Sequence, residues 1–428
     1  MKYFFYILGC QMNYADAERV AAVLDKLGYK KGAFEKEADL IVVVACSVRQ
    51  SAVNRIYGKI EQWQKIKNKR KLITILTGCV LPGDQKKMEP YFDIIFNIKD
   101  LNKLPLMLKS PLKNQSLCLT PSEYLCLSPK YSSAYTAYVP IMTGCDNFCS
   151  YCVVPYLRGR EYSRPQQEIV AEVKKLVKKG YKEIVLLGQN VDSYGHKKGK
   201  VYADNKPFIK LLRAIDVLPG HFWLRFISNH PKDMTEDLIK IIPKLKKVNP
   251  YIHLPLQAGD NQILKKMNRP YTASQYLKIV SLIRKNIPGV ALTTDIIAGF
   301  PGETNEQFQN TLKLAKQAKF DMAYLAQYSP RPNTAAYKLK DDVSKEEKRK
   351  REFALNEVIK KTALFNNKKL VNSIQEILVD RQKGNFYYGR TKTYKVVKLE
   401  SAKNLIGQFI KVKITKAESW KLIGELIK

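Results

Sequence analysis

The chain has 428 residues, 45% of them hydrophobic and 10% aromatic; that content excludes a disordered chain, and that length predicts two or three folded domains. Lysine and arginine number 74 against 39 aspartates and glutamates, a net charge of +35, which suits a polyanion such as nucleic acid and equally a lysine-rich solvated surface. Eight cysteines are too few for a disulfide scaffold and no stretch approaches a membrane span, so thiol chemistry in a reducing cytoplasm, with no membrane partner, is expected.

Three continuous apolar runs open the chain, Lys2 to Leu8, Asp39 to Ala45 and Lys71 to Thr77, the pattern of strands buried on both faces of a parallel sheet. The apolar run Tyr3 to Leu8, before Gly9-Cys10, is shorter than the apolar core of a signal peptide. Asp16 to Leu27, with Val20, Val23, Leu24 and Leu27 at helical spacing, and Ser51 to Ile66 are predicted helices, and Asp93 to Ile98 a fourth strand. This βαβαβ order puts Cys10, Cys46 and Cys79 each just after a strand, at the carboxyl edge where open parallel sheets bind ligands. One strand-end cysteine is an ordinary buried thiol, whereas three at successive strand ends favour a three-thiolate site. Residues 100 to 136 carry prolines and serines and read as a linker, with Cys118 and Cys126 as structural or free thiols.

From Tyr138 the apolar runs resume. Predicted strands are Tyr138 to Met142, Glu183 to Leu187, Trp223 to Ser228, Tyr251 to Leu256, Ala291 to Ala298 and Met322 to Gln327. Predicted helices include Gln167 to Lys179, Phe208 to Ile215, Thr235 to Leu245, Ser274 to Lys285 and Asn305 to Lys319. Six β/α units are too few for a closed eight-strand barrel, so an open, partial (β/α)6 barrel is expected, with its chemistry at the carboxyl ends of the strands. After the first of these strands stand Cys145, Cys149 and Cys152, spaced C-x3-C-x2-C. Three thiolates can hold three corners of a cubane iron–sulfur cluster and leave its fourth iron open to a ligand. A structural zinc site wants a fourth Cys or His at short spacing, and none follows Cys152 before His196. A redox pair at Cys149 and Cys152 leaves Cys145 without a role.

Polar residues gather at the same edge: Gln189, Asn190 and Asp192, then Asn229 and His230, Gln257, Asp295 within its strand, and Glu303 after Gly299-Phe300-Pro301-Gly302. They are binding-site candidates, Gln189, Asn190, Gln257 and Asp295 foremost for a cofactor; helix capping explains any one of them equally well. The four histidines form no metal set; His253, between apolar strand residues, reads as core, and His230 before Pro231 is the one with a site-like position.

A charged helix from Ser344 to about Leu370 mixes Lys345 and Lys348 to Arg351 with Glu346, Glu347 and Glu352, the composition of a solvated face. Five short strands follow: Gln375 to Val379, Tyr387 to Lys392, Lys395 to Leu399, Phe409 to Ile414 and Leu422 to Ile427. They suggest a small β-barrel of oligonucleotide-binding type. Arg381, Lys383, Arg390, Lys392, Tyr387 and Tyr388 interleave charge with aromatic rings, which suits phosphate contact and base stacking; a barrel used only for domain packing is the alternative.

Several segments together resemble the radical-SAM methylthiotransferases over essentially the whole chain: Gly9-Cys10-Gln11-Met12-Asn13, Cys46-Ser47-Val48-Arg49, Gly78-Cys79, the run from Gly144 to Tyr156, Arg158-Gly159-Arg160-Glu161, Leu187 to Val191, His253 to Gln257, Met267-Asn268-Arg269 and Gly299 to Thr304. Within that family the chain is most similar to the branch that 2-methylthiolates N6-isopentenyladenosine at tRNA position 37, beside the anticodon. The resemblance implies a methylthiotransferase domain over residues 1–115, a radical-SAM core over 131–361 and a TRAM RNA-binding domain over 364–428. It implies two 4Fe–4S clusters: one on Cys145, Cys149 and Cys152, whose open iron chelates S-adenosylmethionine and yields a 5′-deoxyadenosyl radical, and an auxiliary one on Cys10, Cys46 and Cys79 that carries the sulfur to be transferred. An aromatic C–H bond has no usable acidity, so cofactor radical chemistry fits that demand. The implied partners are the tRNA anticodon loop, a reductant and a sulfur donor of unknown identity, for a monomeric cytoplasmic enzyme. Arg158, Arg160 and Glu161 are candidates for substrate approach.

The chain departs from the family at Val44-Ala45 before Cys46, at Leu81-Pro82-Gly83 after Gly78-Cys79-Val80, and at Ser228-Asn229-His230-Pro231. Those positions bear on substrate choice. The alternatives are methylthiolation of threonylcarbamoyl-adenosine in tRNA or of a ribosomal-protein aspartate, and a non-catalytic iron–sulfur RNA-binding protein.

Overall fold

A computed structural model describes residues 1–47, 50–108, 123–196 and 205–427. The first sheet is wholly parallel, in the order β2 (Lys30–Lys31), β1 (Lys2–Ile7), β3 (Leu40–Cys46), β4 (Ile73–Cys79), β5 (Ile94–Ile95). Its central strand shows why the apolar run is unbroken. Val42 and Val44 point to one face, against Val20 and Leu24; Ile41 and Val43 point to the other, against Ile56 and Trp63. Each such fully buried side chain contributes roughly 1.5–3 kcal/mol.

The first helix runs Gln11–Lys26, five residues earlier than its apolar stripe predicts, because its opening turn packs Met12 and Ala15 on Val185 and Leu187 of the central region, pairs Asp16 with Arg158, and ties Asn13 to the Ala45 carbonyl at the end of β3. The fourth strand is only two residues long and turns into the 3-10 segment Ile98–Lys103, with Asn97 accepting from the Lys99 amide. The expected linker is therefore partly core: Leu101, Leu104, Tyr124 and Leu125 pack on the first sheet, and buried Arg19 donates to the Tyr124 carbonyl at 3.1 Å. Cys126 closes the short helix Glu123–Cys126; Cys118 lies outside the described residues.

The central region holds parallel strands β6 (Thr136–Pro140), β9 (Glu183–Leu187) and β10 (Trp223–Phe226), and a second parallel set β11 (Tyr251–His253), β12 (Ala291–Ala298) and β13 (Met322–Gln327). The Leu224 amide bonds to the Lys247 carbonyl at 2.7 Å and the Asn249 amide to the Leu224 carbonyl at 2.8 Å, joining the two sets edge to edge. The strands thus run in chain order as an open barrel, with their helices packed outside on one large core. A short antiparallel pair, β7 (Met142–Thr143) with β8 (Tyr162–Ser163), closes the base of the loop that bears Cys145, Cys149 and Cys152.

Helix Lys345–Lys368 buries Leu355, Ile359 and Ala363. Its charges are not all solvated as expected: Lys348 and Arg351 are buried, Lys348 pairing with Asp341 at 2.6 Å and Arg351 with Glu303 at 2.9 Å and Glu347 at 2.8 Å. Partnered charge can sit inside where unpartnered charge cannot.

The last strands, β14 (Ile374–Lys383), β15 (Phe386–Thr391), β16 (Val396–Glu400), β17 (Phe409–Ala417) and β18 (Leu422–Leu426), close in the order β14-β15-β16-β18-β17. This barrel docks on the amino ends of the central strands. Tyr135, just before β6, donates to the Asp380 carbonyl at 2.8 Å; Lys182, before β9, lies over the Phe409 ring; Asp321, before β13, pairs with Lys395 at 2.5 Å.

Candidate functional site

Both cysteine triads lie at carboxyl ends of strands, as their positions predict. Cys46 and Cys79 are register partners on adjacent strands, and Cys10 caps helix Gln11–Lys26. Asn13 draws them together: its Oδ1 accepts from the Cys10 amide at 3.2 Å while its Nδ2 donates to the Ala45 carbonyl at 3.0 Å. Gly9 must be glycine, since at φ +135° a Cβ would lie 2.3 Å from Asn13 Oδ1 and 2.9 Å from Cys46 Cβ. Burial pushes the Cys79 thiol up to about 12, partly offset by Arg158 and reinforced by Cys46 and Cys10.

The second triad sits on a loop pinned at several points. Gly144, at φ +80°, brings its Cα so close to the Arg160 carbonyl that a Cβ would meet the oxygen at 2.1 Å. Phe148 takes φ +45°, a strained conformation held by Asn268, whose Nδ2 donates to the Phe148 carbonyl at 3.0 Å. The Ser150 amide bonds to the Met267 carbonyl at 3.0 Å. Buried Arg269 donates to Cys149 Sγ at 3.5 Å and to the Pro255 carbonyl at 2.9 Å. Burial raises the thiols of Cys145, to about 12, and Cys152, and Cys149 adds to both shifts.

Burial and neighbouring thiolate charge oppose the thiolate form of Cys79 in one triad and of Cys145 and Cys152 in the other unless a cation is bound to them, which is the donor chemistry an iron–sulfur cluster requires. No three described His, Cys, Asp or Glu residues close round a single-ion site; a cubane does not ask for that, since each thiolate takes its own iron. The two triads are neighbours. Cys79 and Leu81 share an apolar cluster with Val153 and Leu157, which follow Cys152 directly. Arg158 Nε donates to Cys79 Sγ at 3.0 Å and its Nη2 pairs with Asp16 at 2.6 Å, both side chains buried.

Around the central barrel's carboxyl edge, Gln189 Oε1, Asn190 Oδ1, Asn229 Oδ1 and His230 Nε2 are buried with no hydrogen-bond partner. Buried polar atoms cost on the order of 1–3 kcal/mol each when unpaired, so this group is built for a polar ligand. Asn190 stands at a helix N-cap position without a capping bond, which removes the capping explanation for it. Its Nδ2 instead donates to Asp233 at 2.7 Å. Asp192 is a support, accepting from Asn229 Nδ2 at 2.5 Å and from the His230 amide at 3.0 Å, and burial holds its carboxyl well above the usual range. His230 is held well below its usual value by burial and by Arg269 and Lys232, so it is neutral. Glu161 lies beside this group, its Oε2 accepting from Ser193 Oγ at 2.7 Å. Gln257 takes φ +70°, so the fourth strand ends in a strained turn at the same edge.

Four expected site residues fall elsewhere. Arg158 is enclosed between Asp16 and Cys79, away from any surface a nucleotide could reach; the residue type signalled charge, and only packing decided its partners. Glu303 serves structure, accepting from the Gly299 amide at 2.8 Å and pairing with Arg351. Asp295 faces the barrel's concave side, where it meets His253 Nε2 at 3.3 Å; His253 therefore lines that face with Tyr324 rather than the core. Arg160 is exposed and pairs with Asp146 at 2.7 Å.

On the terminal barrel, alternation along β15 turns Tyr387 into the core, while Phe386 and Tyr388 face out. Arg381 stacks on Tyr388 with 4.5 Å to the ring centroid, and Lys398 on Phe386 with 3.5 Å. Arg390 pairs with Asp380 and lies over Tyr394, which also stacks under Arg225 of the central barrel, and Lys392 reaches Glu376 at 3.8 Å. The exposed face thus keeps Arg381, Lys383 and Tyr388 of the expected set and adds Phe386 and Lys398. Arg331 and Asp16 are site residues with no signal of their own in the sequence, and Arg269 is marked there only as part of the Met267-Asn268-Arg269 resemblance, since each acts through neighbours far away in the chain.

Residues 139–315 match the Radical SAM superfamily, residues 2–96 the uncharacterized protein family UPF0004, and residues 368–427 the TRAM domain. The chain is 41% identical to the tRNA-2-methylthio-N(6)-dimethylallyladenosine synthase of Thermoanaerobacter pseudethanolicus, over 98% of this chain and 91% of that protein. It is 41% identical to the synthase of the same description from Clostridium botulinum strain Langeland, over 100% of this chain and 97% of that one. Among solved structures it resembles the radical S-adenosylmethionine methyltransferase TsrM of Kitasatospora setae, with cobalamin and a 4Fe-4S cluster bound, at a TM-score of 0.55 and 13% identity over 78% of this chain and 73% of that one. That likeness concerns the fold.

Proposed function

This chain belongs to the family of tRNA-2-methylthio-N(6)-dimethylallyladenosine synthases, and from that premise we propose that it methylthiolates C2 of N6-isopentenyladenosine at position 37 of tRNA through the two cysteine triads. The observation that carries the reading is the contact between the triads: Cys79 packs on Val153 and Leu157 and receives Arg158, all from the segment that follows Cys152. Radical generation and sulfur delivery can thereby sit on one shared interface.

Cys145, Cys149 and Cys152 would hold one 4Fe–4S cluster and Cys10, Cys46 and Cys79 the other. When bound, these groups supply reductive cleavage of S-adenosylmethionine and an iron site for sulfur. The chain's own residues bind and orient. Arg269 fixes Cys149 from the far side of the loop. The unpaired atoms of Gln189, Asn190, Asn229 and His230 would take the polar groups of S-adenosylmethionine. Glu161, half-buried beside them, has its carboxyl pushed up to about 7 by burial and can accept or release a proton near neutral pH. On the concave face His253, Asp295 and Tyr324 form a polar, aromatic lining suited to a base entering from the side. The outward face of the terminal barrel, with Phe386, Tyr388, Arg381 and Lys398, suits RNA backbone and stacking. None of the described helices is long and apolar enough to cross a membrane; the proposed enzyme is monomeric and cytoplasmic and draws on a separate reductant and sulfur donor.

The deciding experiment is mass spectrometry of tRNA nucleosides from a deletion strain, with complementation by the intact gene and by a Cys79→Ala version. Loss of the 2-methylthio group, restored only by the intact gene, is expected. An unchanged tRNA profile, or loss of the threonylcarbamoyl-linked methylthio nucleoside instead, would contradict the reading.

A further inference from the structure

Two buried guanidiniums reach the neighbourhood of the Cys10–Cys46–Cys79 site from the central domain, and neither has all its donors used. Arg158 is 3% exposed, bonds Cys79 Sγ at 3.0 Å through Nε and Asp16 through Nη2, and leaves Nη1 without a partner. Arg331, on the segment after β13, is 4% exposed. Its Nη1 donates at 2.9 Å to Gln50, four residues beyond Cys46, while its Nε and Nη2 are buried and unpaired. Asp84 and, more weakly, Cys46 lie near enough for their charge to act on it. Lys99 adds a third cation close by, near Gly159 and within the influence of Cys79.

Each unpaired buried donor forfeits its hydration; among the described residues Arg19, Arg164 and Arg225 also leave one N–H idle, whereas Arg331 leaves two, beside the Cys10–Cys46–Cys79 site. Asp16 and Asp84 offset part of the charge but do not occupy those donors. The charge count at a loaded site supplies what does. A cubane core of two positive charges held by three thiolates is a monoanion, and a hydrosulfide on its open iron makes a dianion. Such a species in a buried site needs cations and hydrogen-bond donors beside it.

We propose that Arg158 and Arg331 form an anion clamp at the Cys10–Cys46–Cys79 site, and that their spare N–H groups hold the inorganic sulfur anion, hydrosulfide or a persulfide, delivered there. This rests on the reading of that triad as a cluster site. The two residues are positioning residues: Arg158 orients Cys79 and Arg331 faces the incoming anion from the Cys46 side. No bond to carbon is made in this step; the anion takes an open coordination position and the arginines balance its charge.

The test uses full-length protein with Cys145, Cys149 and Cys152 all replaced by alanine, reconstituted anaerobically so that only the first triad can hold iron. Sodium hydrosulfide is titrated in and followed by the electron paramagnetic resonance of the reduced cluster, with imidazole as a neutral ligand for comparison. Arg331→Gln should keep about four irons per chain and weaken hydrosulfide binding about tenfold or more, with imidazole binding unchanged. Arg331→Lys, which keeps the charge, should lose less. Equal hydrosulfide affinity in all three proteins, an equal loss for imidazole, or loss of iron from both Arg331 variants would overturn the clamp. A parent protein that holds no iron would instead overturn the cluster reading of Cys10, Cys46 and Cys79, and the clamp with it.

Discussion

Glu161 shows how much one carboxyl can report at the residue scale. Burial, outweighing the Ser193 hydrogen bond, raises it from 4.5 to about 7. The folded state therefore prefers the protonated form: the stabilisation is complete below about pH 4.5 and is lost as pH rises through about 7. A Glu161→Gln protein has no such titration. Between pH 5 and 8 the parent should lose about 2 kcal/mol relative to that variant in urea denaturation; a pH-independent difference would show that the carboxyl is not held in its neutral form. The two triads separate by single substitutions. Cys79→Ala should lower iron from about eight to about four per chain and stop methylthiolation while S-adenosylmethionine is still cleaved; Cys149→Ala should lose a similar amount of iron and all formation of 5′-deoxyadenosine.

At the scale of elements, the loop of Cys145, Cys149 and Cys152 depends on backbone that few residues can adopt. Gly144→Ala sets a Cβ against the Arg160 carbonyl at 2.1 Å, so the β7–β8 ribbon cannot close as it stands. We expect loss of that cluster alone, read as about four irons remaining per chain. Strand β15 separates fold from function by parity. Tyr387→Ala opens the small barrel's core and should cost about 3–5 kcal/mol, by analogy with other buried aromatics. Phe386→Ala or Tyr388→Ala should leave stability near the parent's and weaken tRNA binding by about 1–3 kcal/mol per lost stack. Comparable unfolding midpoints for Tyr387→Ala and Tyr388→Ala would contradict the parity.

For the whole molecule, the terminal barrel is docked on the amino ends of the central strands, while the cysteines stand at their carboxyl ends. An RNA that touches both must run along the open side of the barrel, past Tyr324, His253 and Asp295. The dock is built from Trp223 against Phe409, with centroids 4.7 Å apart, Tyr394 beneath Arg225, and the Lys395–Asp321 pair. Phe409→Ala should uncouple the small barrel, so that calorimetry records a separate, earlier transition for it; one unchanged transition would mean that the remaining contacts suffice. The N-terminal domain is held to the centre by Met12 and Ala15 against Val185 and Leu187 and by the Asp16–Arg158 pair.

The six cysteines, the parallel order of the first sheet, the six β/α units and the five terminal strands are legible in the sequence, because each rests on local period, spacing or residue chemistry. Contacts between distant segments are not legible in that way. Nothing near Arg158 in the chain announces Asp16 or Cys79, nothing near Arg331 announces Gln50, and a helix rich in lysine and glutamate conceals that Lys348 and Arg351 are enclosed by Asp341 and Glu303. By itself the sequence marked six cysteine thiols as candidate iron ligands and placed each at the end of a strand. Only the tertiary structure decided that the two triads share one interface and which charges surround them, since burial and electrostatic partnership come from packing rather than from neighbours in the chain.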